Sequence, residues 1–172
     1  MQLSRELRRI AIIGAGSAGR DLGFRCVRAG FCVTLEDVMP SRLRNAKQML
    51  ASESTSAALH LVSTVEDAVR NADLAVDFVP DELESKLEIF SMLDRMAPPH
   101  TILCTPSSAV SIADLASCTY RPELCFALRL PDLDTAQIIY TSRSSPEALS
   151  AVRQWLAAIG FTVTTQRDPT QS

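Results

Sequence analysis

The chain has 172 residues, 47% of them apolar and 22% charged, with a formal net charge of −3. That length accommodates one ordinary domain with a substantial core and is too short for two, while the composition matches soluble globular proteins rather than disordered ones. The weak negative charge, with no Lys/Arg cluster interleaved with aromatics, excludes a nucleic-acid footprint and leaves small molecules as the expected partners.

In chain order, short β-rich runs alternate with longer stretches of helical period, the pattern of βαβ units around a parallel sheet. Strands are predicted at residues 9–13, 32–35, 59–63, 74–79, 101–104, 125–128, 138–140 and 162–165. The basic N-terminus runs into apolar residues 10–13, which break at once into glycines. It therefore reads as neither a secretion signal nor a membrane span, and a cytoplasmic protein with no membrane partner is expected.

The first helix is predicted from Ser17 to Ala29, with Gly30 as its C-terminal stop. Good helix formers follow Pro40 over residues 41–50, and the Ser-rich stretch 51–58 reads as loop. Thr64 caps a short helix over 65–71, with Asp67 three residues on. An amphipathic helix over 82–96 is closed by Pro98 and Pro99. Another over 146–159 opens on Pro146 and Glu147 and ends at Gly160. The chain is expected to fray from Asp168, so the domain is taken as residues 1–168 with a tail at 169–172.

Five cysteines, Cys26, Cys32, Cys104, Cys118 and Cys125, form no CxxC pair, and only His60 and His100 could join them as ligands. Buried thiols are expected, and no metal site.

The stretch IAIIGAGSAGRDLG at residues 10–23 carries the chemistry. An apolar strand enters GxGxxG and leaves as a helix. Gly14 permits the tight turn, Gly16 lets the backbone approach a pyrophosphate, and Gly19 lets helix and strand pack closely. Ser17 and Ala18 lie in the same turn, where helix N–H groups and the positive dipole end favour an anion. The second strand closes on Glu36 and Asp37, about 20 residues downstream, where the motif expects a ribose partner. Asp37 is the better placed; a carboxylate there accepts ribose hydroxyls and repels a 2′-phosphate, so the cofactor is expected to be NAD, with Arg42 and Arg44 close enough to blur the preference. The expected fold is a doubly wound, mostly parallel α/β sheet of the Rossmann type in a single domain.

The segment NADLAVDFVPDELESK at 71–86, the stretch from Lys86 through Leu103, and SSAVSIADL at 107–115 resemble the NAD-binding domain of the 3-hydroxyacyl-CoA dehydrogenase family. With the glycine loop, the resemblance covers nearly the whole chain. It implies a nicotinamide-binding domain, followed in family members by a helical domain, that oxidises the 3-hydroxyl of an acyl-CoA in fatty acid metabolism. It also implies cofactor contacts at Gly14, Gly16, Gly19 and Asp37, and at Phe78, Val79, Asp81 and Lys86 around the end of the fourth strand. Lys86 lies one helical turn past that strand end, within reach of a ribose or phosphate oxygen; among Glu82, Glu84 and Glu88 it also reads as part of a solvated face. Ser108 matches a serine near the nicotinamide and the substrate hydroxyl, although loop capping would look the same.

The departures concern the reaction. The family places a His at the end of the sixth strand, oriented by a Glu about a dozen residues later; here that strand runs into Ala127, Leu128, Arg129 and Leu130. Arginine stays protonated at neutral pH and cannot take the hydroxyl proton. The segment 137–140 offers no carboxylate, and Pro106 stands for an Asn. Asp132 and Asp134 are nearby but sit in an altered loop. The family's helical arm is reduced to residues 40–58.

Two functions are therefore carried forward, ahead of a third alternative, a cofactor-free scaffold that keeps the fold. One is an oxidoreductase of this family's type, completed by a second copy or a separately encoded helical partner. In it Arg129 would stabilise an oxyanion or bind an acidic substrate, and Tyr140 or a partner residue would handle the proton. The other is a catalytically degenerate NAD(H)-binding module or interaction subunit.

Overall fold

The computed structural model describes residues 6–51, 53 and 58–170. Its elements are β1 (Arg9–Ile13), α1 (Ser17–Arg28), β2 (Cys32–Glu36), α2 (Pro40–Leu50), β3 (Leu59–Val62), α3 (Val65–Val69), β4 (Leu74–Asp77) and α4 (Leu83–Met96), followed by β5 (Ile102–Pro106), α5 (Ile112–Ser117), a 3-10 turn at Pro122–Leu124, β6 (Cys125–Arg129), β7 (Thr135–Tyr140), α6 (Pro146–Ala158) and β8 (Thr162–Arg167). The eight strands form one sheet in the order β3-β2-β1-β4-β5-β6-β7-β8. All neighbours pair in parallel except β6 with β7, which are antiparallel. The fold is the doubly wound, Rossmann-like α/β sheet that the alternating pattern implied.

Central strands buried on both faces need continuous apolar runs, and IAII in β1 and LAV in β4 supply them. Alternate residues feed two cores. Ile10, Ile12, Leu74 and Val76 join side chains of α1, α2 and α6, among them Leu22, Leu50 and Trp155. Ala11, Ile13 and Ala75 face the opposite way, toward Val69, Phe90, Leu93 and Leu115 of α3, α4 and α5.

Predicted and observed elements differ mostly at their ends. β4 stops at Asp77, and Phe78 and Val79 beyond it line a cleft at the C-terminal end of the sheet. β7 begins at Thr135, drawn into pairing with β8. The helix α5 was not singled out in the sequence. Asp168, expected to begin a frayed tail, is 2% exposed and holds α5 in place: its carboxylate accepts from the Ala113 N–H and the Ser111 hydroxyl. Most of the expected loop at 51–58 lies outside the described residues, as do the first five residues and the last two.

Candidate functional site

Strand order reverses between β1 and β4, whose crossover connections leave to opposite sides, and the crevice beyond their C-terminal ends is where such sheets bind ligands. Gly14 ends β1 there with φ +104°, a left-handed backbone that an L side chain resists. Its N–H donates to the Glu36 carbonyl at 2.8 Å and the Phe78 N–H donates to the Ile13 carbonyl at 2.8 Å, so the ends of β2, β1 and β4 are tied together.

Two other glycines of the loop do different work. A Cβ on Gly19 would stand 2.0 Å from the Gly14 carbonyl oxygen, so this position must be bare for α1 to lie against the strand. A Cβ on Gly16 would meet nothing within 4 Å. Gly16 is thus a space kept open, not a packing need. It sits at the N-terminus of α1, where no side chain caps the free N–H groups and no acid lies in the first turn. Ser17 and Ala18 are exposed on that turn. Open room in front of unpaired amides and a positive dipole end fits a diphosphate.

Asp37, just past β2, turns its carboxylate into the loop: Oδ2 accepts from the Ala15 N–H at 2.9 Å, and Oδ1 accepts from the Met39 N–H at 2.8 Å. Arg42, half-exposed on α2, approaches Oδ2 at 3.3 Å. Burial opposes ionisation of Asp37, but the two N–H groups and the Arg42 charge together hold its carboxyl below the usual range. Its neighbour Glu36 goes the other way, pushed up by burial and by the Asp37 charge. A carboxylate offers about four acceptor positions, so Asp37 retains capacity for sugar hydroxyls. A cleft of about 420 Å³ opens beside it, lined by Asp37, Val38 and Arg42 on one side and by Phe78, Val79 and Ile89 on the other. It has the size and mixed lining of a small-ligand cleft.

At the end of β4 the structure places Lys86 neither on the surface its acidic neighbours suggest nor in the lining of the cleft where a cofactor contact was expected of it. Lys86 is 1% exposed, and its Nζ donates to Asp77 Oδ1 at 2.8 Å, with Asp77 fully buried. Burial pushes the Asp77 carboxyl up, and Lys86 offsets only part of this. The pair pins α4 to the strand end from which Phe78 and Val79 emerge. Asp77 was missed in the sequence; an acid closing an otherwise apolar strand was the available signal. Asp81 faces the β5–α5 loop: Oδ1 accepts from the Ser107 hydroxyl at 2.6 Å and Oδ2 from the Ser108 N–H at 3.0 Å. Although burial resists it, these bonds hold the Asp81 carboxyl low.

Arg129 ends β6 opposite Gln137 of β7, and its guanidinium donates to Gln137 Oε1 at 3.4 Å. Both share a sheet face with Ala127 and Ile139, and Arg129, with Ala127, Ile139, Ser107, Ser108 and Asp168, bounds a recess of about 150 Å³. Tyr140 packs on the opposite face and does not line it. Asp132 is spent in an exposed turn, accepting from the N–H groups of Asp134 and Thr135 at 2.8 and 2.7 Å. That turn is fixed to α1 by Arg25, which donates to the Leu133 carbonyl and stacks on Phe161. Among the described residues no group of three His, Cys, Asp or Glu side chains is placed to hold a metal, and no helix is long and apolar enough to cross a membrane.

A family model described as "3-hydroxyacyl-CoA dehydrogenase, NAD binding domain" matches residues 9–168. A probable 3-hydroxybutyryl-CoA dehydrogenase of Bacillus subtilis (strain 168) is 26% identical over 183 residues, covering 95% of this chain and 63% of the relative. L-carnitine dehydrogenase of Pseudomonas putida is 28% identical, covering 91% of this chain and 54% of the relative. Among solved structures, 3-hydroxybutyryl-CoA dehydrogenase from Escherichia coli K12 superposes with a TM-score of 0.85 at 21% identity, over 95% of this chain and 39% of that one, a likeness of fold. The chain therefore spans less than two thirds of the length of these relatives.

Proposed function

Because the chain belongs to the family of 3-hydroxyacyl-CoA dehydrogenase NAD-binding domains, with NAD as its cofactor, we propose that it is the cofactor-holding part of an oxidoreductase acting on a 3-hydroxyacyl-CoA or a related hydroxy substrate. The observation that carries this reading is the empty volume at Gly16 in front of uncapped α1 amides, with Asp37 turned into the same loop. Gly14, Gly16 and the first turn of α1, including Ser17 and Ala18, would hold the diphosphate. Asp37 would accept the adenosine ribose hydroxyls, and Phe78 and Val79 would wall the cleft. When bound, the cofactor supplies a hydride acceptor or donor at its nicotinamide ring.

What the chain's residues contribute to the reaction is orientation. The Asp81–Ser107–Ser108 bonds fix the loop beside the expected nicotinamide position, and Arg129 provides a fixed positive charge for oxygen of a substrate. Phenolic, imidazole or free carboxylate groups able to take a proton do not line the recess among the described residues, since Asp168 is engaged on both oxygens. A helical partner or a second copy of the chain would supply the remaining substrate surface and the proton acceptor, in the cytoplasm.

That same observation favours a second reading, an NAD(H)-binding module without turnover. NADH fluorescence titration, followed by NADH consumption with acetoacetyl-CoA alone and with candidate helical partners, separates the two. Binding that falls at least about tenfold in Asp37→Ala is expected under both readings. Turnover in any combination supports the enzyme; binding without turnover supports the module; no NADH binding refutes both.

A further inference from the structure

We propose that the recess at the ends of β5 and β6 is a carboxylate subsite with Arg129 as its counter-charge, so that the substrate is a small oxo- or hydroxycarboxylic acid held by its free acid group. The inference rests on the cofactor reading above, because the dinucleotide fixes which end of the sheet faces the reacting carbon. With the adenosine cleft beside β2, a dinucleotide crossing at β1 and β4 directs its other half toward β5 and β6. Arg129 stands there.

Two arginines near the ends of β6 show the contrast. Arg121, just before the strand, is 6% exposed and spends its whole guanidinium within the fold. Its Nε donates to Asp94 at 2.9 Å, one terminal nitrogen to the Pro98 and Thr101 carbonyls, and the other to the Asp94 and Ala97 carbonyls. Arg129, at the far end of the same strand, is half-buried and has one long bond, to the neutral amide of Gln137. Among the described residues it has no carboxylate within ion-pair distance. A guanidinium carries five donors, and a partly desolvated cation without a counter-charge favours an anion that enters beside it.

The acids nearby do not fill that role. Asp168 faces α5 and the tail, accepting from Ser111, Ala113 and Thr170; Asp81 accepts from Ser107 and Ser108. The walls at Ala127 and Ile139 are apolar, which strengthens a charge pair formed between them. A volume of about 150 Å³ admits a group of a few heavy atoms. The planar guanidinium fork matches a carboxylate through two parallel hydrogen bonds, which a thioester carbonyl cannot offer.

Calorimetry on the intact chain tests this in two steps. NAD is titrated first; the NAD-loaded protein is then titrated with acetoacetate and with its neutral counterpart methyl acetoacetate. Both are oxidised, so no hydride transfer with NAD disturbs the heats. Acetoacetate is expected to bind at least about tenfold more tightly than the ester. Arg129→Gln should abolish that preference while leaving NAD affinity unchanged, and Arg129→Lys should retain part of it. NAD binding with equal affinity for acid and ester, or a preference surviving in Arg129→Gln, overturns the subsite alone. Absence of NAD heat overturns the cofactor reading and the subsite with it. Should Arg129→Gln fail to fold, the wild-type acid–ester contrast and Arg129→Lys still decide.

Discussion

Replacing Lys86 with Met removes the counter-charge of an acid that has no access to water. Asp77 is 0% and Lys86 1% exposed, with 2.8 Å between Nζ and Oδ1. Removing one partner of such a pair leaves a buried, uncompensated charge and costs about 3–5 kcal/mol. For a chain of this size about 1 kcal/mol shifts Tm by roughly 2–4 °C, so Lys86→Met should melt roughly 6–20 °C lower than wild type. Replacing the pair together, Asp77→Val with Lys86→Met, should recover stability to within about 1 kcal/mol of wild type, since the apolar pair carries no desolvation penalty. The loss should also depend on pH with a definite sign. Burial raises the folded-state pKa of Asp77, and Lys86 only partly offsets it. A raised pKa means stability that is complete below the unfolded-state value and is lost as pH rises through the folded one. Met at 86 removes the offset and moves the folded value further up, so the variant's deficit should grow with pH. Urea denaturation at several pH values measures all three terms. A single-variant loss below about 1 kcal/mol, a deficit that does not grow with pH, or additivity of the two substitutions would refute the account.

The glycine loop gives paired expectations of opposite kind. Gly19→Ala places a Cβ 2.0 Å from a backbone oxygen and should destabilise the fold by at least about 1–3 kcal/mol, read by thermal melting. Gly16→Val fills open space, so its stability should stay within about 1 kcal/mol of wild type while NADH affinity falls at least about tenfold; retained affinity would show that nothing binds there. Asp37, Asp81 and Asp168 all have carboxyls held below their ordinary 3.8 by hydrogen bonds that outweigh burial. Their stabilisation should be present above that value and lost as pH falls below it, and Asp168→Asn should flatten this acid limb in denaturation curves.

The sheet and the loop were legible because their signals are local. Period-2 and period-3.6 patterns need only neighbouring residues, and Gly30 and Gly160, both at positive φ, stop their helices where expected. What escaped depends on partners far along the chain. The helix α5 has six residues, too few for a clear period, and its N-terminal end is held by Asp168, 57 residues beyond the Ser111 it binds. Lys86 sits among Glu82, Glu84 and Glu88, a pattern that reads as solvent-facing. Only the sheet reveals that its position on α4 overlies the end of β4, where Asp77 waits for a cation.

The two halves of the crevice are built by different parts of the chain, and the family model spans both. The half assigned to adenosine in the proposed reading is made by β1, α1, β2 and the turn after β4, bound to one another through the Gly14 and Phe78 N–H groups and the Asp37 carboxylate. The reaction half is made by β5, β6 and β7, and its distinctive residues, Arg129 and Gln137, meet only across the antiparallel pair. Among the described residues, neither Arg129 nor Gln137 hydrogen-bonds to the glycine loop. A substitution at the end of β6 is therefore expected to leave the glycine loop undisturbed, and under the proposed reading cofactor binding by this chain carries no information about which proton acceptor serves it. Where the family resemblance leads one to expect an imidazole, this chain carries the Arg129 guanidinium beside Gln137. The recess is thereby suited to hold negative charge in place and unsuited to move a proton. Under the proposed reading, the base would come from a partner or a second copy, and the substrate would place its oxygens beside the Arg129 guanidinium.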